Sequence, residues 1–306
     1  MSRREFLKCQ MRGVLWMAAG GSGLLLPQRG LAEASPDITV AIGAPGPATR
    51  AAVDLLGGIK TIVKPGYRVV IKPNMSFATP PERASNTHPE VVRELAVMCK
   101  DAGAAKILIL DHTLGPEEQC LENSGIRDAC KSVDDKMVYA LSDDNLYKEI
   151  TIPEGKSMTR TDVMKELIRS DILIAAPVAK SHSSSGVSLS LKGMMGLIYN
   201  RGVMHWRYDL HTSIVDLSTV LKPDLVVIDA TRVLSTNGPG GPGKVLHPKT
   251  VIASRDMVAA DAYAVSRFEW YGKRFKPRQV RHIREAHQRR LGRMDIENLS
   301  IKSISL

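Results

Sequence analysis

From residue 67 to residue 176 the chain sets short β-branched runs against stretches of helical period, and that alternation restricts the fold more than any other feature. Residues 67–71 and 106–110 read as strands. Between them Thr87-His88-Pro89-Glu90 opens a helix. Thr87 or His88 supplies the cap, Pro89 suits the first turn, and Glu90 complements the helix dipole. The helix continues to about Ala102, where Gly103 ends it. Residues 172–176 are apolar throughout, as in a strand buried on both faces. Strand, helix, strand in this order demands a right-handed crossover and a parallel sheet.

The rest of the chain extends the pattern. Residues 38–42 form a strand, and 49–62 are apolar at a helical period. Two short helices flank Gly125 within 117–131, weaker strands follow at 137–141 and 149–152, and 162–169 reads as a helix. Residues 210–221 form an amphipathic helix stopped by Pro223, and 225–228 form a buried strand closing on Asp229. A strand at 250–253, a helix at 256–268 and a basic helix at 277–291, within a C-terminal stretch 277–306, complete the order. The expected fold class is α/β, a mostly parallel sheet with helices on both faces. It forms one unit, or that unit with a small inserted subdomain near 113–160.

Composition bears on location and partners. Ser2-Arg3-Arg4-Glu5-Phe6-Leu7-Lys8 matches the twin-arginine export pattern S-R-R-x-F-L-K. An apolar run at 13–26, broken by Gly20, Gly21 and Gly23, precedes Ala32-Glu33-Ala34, whose small residues suit signal peptidase. The run is shorter than the roughly 20 residues that span a bilayer. The expectation is a bacterial or archaeal chain exported folded by the twin-arginine machinery and cut after Ala34. The mature domain, 35–306, would be periplasmic with no permanent membrane span. Of the cysteines beyond residue 34, Cys120 and Cys130 either pair or stay buried thiols, as does Cys99. No C-x-x-C occurs, so no iron–sulfur cluster is expected. The net charge of +10 favours anionic ligands or a solvated basic surface. Aromatics at 5% supply no stacking platform for single-stranded nucleic acid, and export argues against a nucleic-acid partner.

Four strands end in polar groups: Lys72 and Asn74, Asp111 and His112, Lys180 and His182, and Asp229. In a parallel sheet these ends share one edge, where ligands bind. Each also has an ordinary reading as a cap, a turn or a solvated charge. The expected site has Lys180, His182 and Asp229 as catalytic residues, with His182 moving a proton. Lys72 and Lys192 join Lys180 in holding a small anion, and Asn74, Asp111 and His112 line the same edge. Asn237 and Gly238 open a Gly/Pro loop that covers a site or simply turns the chain. It lacks the phosphate-loop pattern G-x-x-x-x-G-K-[ST] and a helix-opening G-x-G-x-x-G, and no G-x-S-x-G elbow occurs. His205 and His211, with His182, are the metal candidates, without the i, i+4 spacing of a helical zinc site. Cofactor identity stays open, a metal ion being the one candidate.

The set of motifs resembles the DUF362 family. It comprises Ile71-Lys72-Pro73-Asn74, Thr87-His88-Pro89, Pro177-x-x-Lys180-x-His182, Ser188-Leu189-x-Leu191-Lys192-Gly193, Lys222-Pro223-Asp224-Leu225, Asp229, Asn237-Gly238-Pro239 and Asp256-Met257-Val258-Ala259-Ala260-Asp261. The match runs from about residue 40 to residue 266. Relatives often carry Asn where this chain has Gly193, and some add a ferredoxin-like domain whose cysteines are missing here. The family is also similar, at the level of fold, to the lactate racemase type of α/β enzyme. The resemblance implies no settled activity. Two functions remain in view: an enzyme for a small anionic or carbonyl-containing ligand, or a non-catalytic metal- or cofactor-binding or maturation protein exported folded.

Overall fold

The computed structural model describes residues 35–306, so the twin-arginine stretch and its cleavage site fall outside the described residues. In chain order the strands are β1 (Ile38–Ile42), β2 (Arg68–Pro73), β3 (Lys106–Asp111), β4 (Val138–Ala140), β5 (Tyr147–Thr151), β6 (Arg160–Met164), β7 (Ile172–Ala176), β8 (Val178–His182), β9 (Gly186–Ser188), β10 (Leu225–Leu234), β11 (Val245–Leu246), β12 (Thr250–Ser254) and β13 (Ile301–Ser305). The main sheet follows the order β13-β1-β12-β10-β7-β2-β3-β4. Along this path only β12 runs against its neighbours, so the sheet is mostly parallel.

Alternation along the central strands splits the interior into two layers. Val69, Ile71, Ile172 and Ile174 pack under the helices Pro45–Leu55 and Pro89–Asp101. Val70, Leu173 and Ala175 pack on the other side, under Leu210–Val220, Met257–Arg267 and Arg281–Gln288. The stretch 113–160 has no core of its own. Its β4 adds to the sheet edge, and Tyr147, Ile152 and Met158 join the second layer. Cys99, Cys120 and Cys130 are buried free thiols. Among the described residues no helix is long and apolar enough to cross a membrane.

Three local expectations change. Residues 160–164 are a strand, and the helix expected at 162–169 shrinks to Lys165–Ile168. Pairing of Arg160–Met164 with β5 satisfies this backbone better than one more helical turn, and Thr161 and Val163 favour it. At Pro177 the chain bends and continues in the sheet as β8, alongside β10. β10 spans ten residues, so Asp229 sits inside a strand instead of ending one. The C-terminal helix is confined to Arg281–Gln288, and much of the local charge is spent internally. Arg281 pairs with Asp209 at 2.8 Å, Arg289 with Asp216 at 2.6 Å, and Arg293 with Asp295 at 2.8 Å.

Candidate functional site

The bend at Pro177 creates the site. β2 stops at Pro73, level with Ala176, while β8 swings away along β10. Asn74 and Thr87 clamp the fork: Asn74 N–H donates to Thr87 Oγ1 at 2.8 Å, Thr87 Oγ1 donates to Ala176 O at 2.7 Å, and Val178 N–H donates to Asn74 Oδ1 at 3.0 Å. Beyond the fork lies a cavity of about 200 Å³. Lys72, Asn74, Asp111, Lys180, His182 and Lys192 line it, joined by Arg201 and His205.

The cavity is strongly cationic. Lys72 and Lys180 are 2% exposed and Lys192 is 8% exposed. Lys72 Nζ lies 3.1 Å from Asp111 Oδ1 and donates to Pro73 O. Asp111 Oδ2 in turn accepts from Met75 N at 2.9 Å and Ser76 Oγ at 2.8 Å. Lys180 donates to Ser85 O and stands 5.0 Å from the centre of the Phe77 ring. Lys192 finds only the thioether of Met195, at 3.5 Å. Burial costs each ammonium its hydration, and the cations repel one another. Burial, against the pull of Asp111 and with the repulsion of Lys72, Lys192 and Arg201, brings Lys180 down to about 7. Burial, then Arg201, does the same to Lys192, also about 7. Lys72 is lowered mainly by burial, although Asp111 pulls it back. The Arg201 guanidinium is lowered by burial too, and its Nη2 has no hydrogen-bond partner.

His182 takes a different part from the one expected. Burial, followed by Lys192, His205 and Lys180, holds its imidazole down to about 3, so it is neutral at ordinary pH. Ser184 N–H donates to its Nδ1 at 3.2 Å. The neutral ring then carries its proton on Nε2 and offers a donor, not a base. The unprotonated amines of Lys180 and Lys192 are proton acceptors in this cavity, and His205, whose imidazole is also held down by burial, is another.

Short glycine-rich segments close the site. The helix Ser190–Gly193 carries Lys192, and Asp261 fixes its start by accepting from Ser190 N at 2.8 Å, Ser190 Oγ at 2.6 Å and Leu191 N at 2.9 Å. Gly196 then crosses directly over the Lys72–Asp111 pair, where a Cβ would stand 2.3 Å from Asp111 Oδ1. Gly238 presses against the Ser181 backbone, and a Cβ there would be 1.9 Å from Ser181 O.

Several expected residues lie elsewhere. Asp229 does not line the cavity: its carboxylate accepts from His88 N at 2.7 Å, Thr231 N at 2.9 Å and Arg232 Nη2 at 2.8 Å. It joins β10 to the helix opened by His88, a structural use of a mid-strand acid. His112 turns its Nδ1 to Ile198 O at 3.2 Å and stacks on Tyr199. Asn237 bonds Pro242 O at 3.1 Å, and Gly238 N–H donates to Ser181 Oγ at 3.0 Å; of their loop, Pro239 reaches the cavity. The two metal candidates part company. His205 stacks on His182 with ring centres 6.0 Å apart, whereas His211 pairs with His282, Nδ1 to Nδ1 at 3.3 Å. Among the described residues no three His, Cys, Asp or Glu side chains converge as a metal site. Sequence reasoning missed Arg201 as a site residue. The one signal was its place in 199–207, a charged and aromatic stretch with no period that directly follows the Lys192 segment.

Comparison with known proteins places the chain. It is 26% identical over 227 residues to the thylakoid-associated protein sll1697 of Synechocystis sp., an alignment covering 69% of this chain and 66% of that protein. The chain therefore spans just under two thirds of that relative's length. Among solved structures, the lactate racemase apoprotein from Thermoanaerobacterium thermosaccharolyticum superposes with a TM-score of 0.45 at 14% identity, over 71% of this chain and 54% of that one. A family model described as a domain of unknown function, DUF362, matches residues 69–266, and the chain belongs to that family.

Proposed function

We propose that this protein is an enzyme that binds a small anionic or carbonyl-containing molecule in the cavity beyond Pro177. One observation carries the reading: Lys180, Lys192 and Arg201 are gathered around one cavity, and its single lining carboxylate, Asp111, is already engaged by Lys72. Buried cations without counter-charges are costly, and a bound anion relieves that cost. An amine that loses its proton near pH 7 is suited to take a proton from such a ligand, or to attack its carbonyl carbon.

The test is the melting temperature as a function of pH, with and without sulfate. In the empty protein the two lysines release their protons near 7, whereas in the unfolded chain they do so near 10.5. Between these values the unfolded state holds more protons, so their contribution makes stability rise with pH over that interval. Sulfate binds the ammonium forms. Its stabilisation should be greatest below pH 7 and fade above it, flattening the profile. No stabilisation by sulfate at pH 6.5 would overturn the anion reading.

The proposal includes export of the folded chain to the periplasm by the twin-arginine machinery, motivated by Ser2 to Lys8 and the Ala32-Glu33-Ala34 site. In a bacterial host the secreted form should begin at Ser35 by mass spectrometry. Arg3→Lys with Arg4→Lys should leave uncut, folded precursor in the cytoplasm. Undiminished processing of that double variant would exclude the twin-arginine route.

A further inference from the structure

We infer that the cavity is built for a dianionic group, a phosphate monoester or a small dicarboxylate, in preference to a monoanion. The inference rests on the anion reading above and narrows it. Charge and unspent donors carry it together. Lys72 is opposed by Asp111 at 3.1 Å, and the remaining oxygen of Asp111 is occupied by Met75 N and Ser76 Oγ. That pair is close to neutral as a unit. Lys180, Lys192 and Arg201 have no carboxylate within ion-pair distance, Asp111 acts on Lys180 and Arg201 only from farther off, and no other acid lines the cavity. One negative charge would leave two of these cations uncompensated in a buried place; two or more charges approach balance.

The donors available to a ligand point the same way. Lys180 spends one proton on Ser85 O, and Lys192 directs one toward a thioether, so both ammonium groups retain protons. Arg201 Nη2 is buried and unpartnered. His182, with Nδ1 engaged by Ser184 N–H, adds an Nε2–H. Several charged donors around about 200 Å³ suit a compact group with three or four acceptor oxygens. A lone carboxylate has two.

The test is isothermal titration of the protein at pH 6.5 with sulfate and with methanesulfonate, which share a tetrahedral sulfo head and differ by one charge. Malonate and acetate form a second pair, distinguishing two separated carboxylates from one compact dianion. Sulfate or malonate should bind about tenfold or more tightly than its monoanionic partner, a gap of about 1.4 kcal/mol or more. Arg201→Gln should narrow that gap by weakening the dianion more than the monoanion. Equal affinities within both pairs, with measurable binding, would overturn the dianion inference and leave the anion cavity standing. Absence of binding by all four would overturn both.

Discussion

Lys192→Met should make the protein more stable and a poorer binder of anions. The Lys192 ammonium is 8% exposed, and the sulfur of Met195 is its one hydrogen-bond partner. Replacing a poorly paired buried charge by an apolar chain of similar length commonly stabilises by about 1–4 kcal/mol. The gain should be largest at pH 6, where the folded protein must hold the ammonium, and should shrink as the pH rises through 7 and beyond. Sulfate should move the other way. Loss of one charged hydrogen bond costs about 1.5–3 kcal/mol, so its Kd should rise roughly ten- to a hundredfold. Calorimetry and thermal melts on the same samples read both effects. Unchanged sulfate affinity would remove Lys192 from the site. A stability gain bought with lost binding is the pattern of a residue kept for function.

The second large effect is expected at Gly196. An alanine Cβ there would stand 2.3 Å from Asp111 Oδ1 and 2.4 Å from Lys72 Cε. Asp111 is held by the Met75 amide and the Ser76 hydroxyl, and the Lys72 amine by Pro73 O, so neither retreats without losing these bonds. Gly196→Ala must displace the segment or break the buried pair, at a cost of about 3–5 kcal/mol. Gly193 is the control. It lies on the same segment at φ −57°, and its Cβ would meet Pro177 Cβ only at 3.9 Å. Gly193→Ala should be neutral or stabilise by up to about 1 kcal/mol, since alanine is the better helix former. Equal denaturation midpoints for the two variants would refute the close approach at 196.

Much of the fold was legible because its signals are local. The unbroken apolar run 172–176, the β-branched runs 67–71 and 106–110, and the Thr87-His88-Pro89 helix start each declare an element within a few residues. Residues 160–164 were misread because their extended form is decided by pairing with Tyr147–Thr151, a partner outside any local window. Asp229 was misplaced for a related reason. The strand 225–228 was visible, but its extension to Leu234 depends on β8 following it past Pro177. Of the residues lining the cavity, Lys72, Asp111, Lys180 and His182 are legible in the sequence from their places at or just after apolar runs. Arg201 is not, since an aperiodic charged and aromatic stretch at 199–207 does not by itself reveal that the segment folds back over the cavity.

The sequence by itself determined the α/β class, the parallel crossovers and the polar groups following the central strands, all written in periodicity and short motifs. Tertiary structure alone decided which of those polar groups meet. It sent Asp229 into a strand-bracing network, separated His205 from His211, and set Lys180, Lys192 and Arg201 around one cavity with a single, already engaged carboxylate. The physical reason is that charge compensation acts through space. A lysine in a sequence carries no record of whether an acid waits across the fold, and here none comes within ion-pair distance of Lys180 or Lys192.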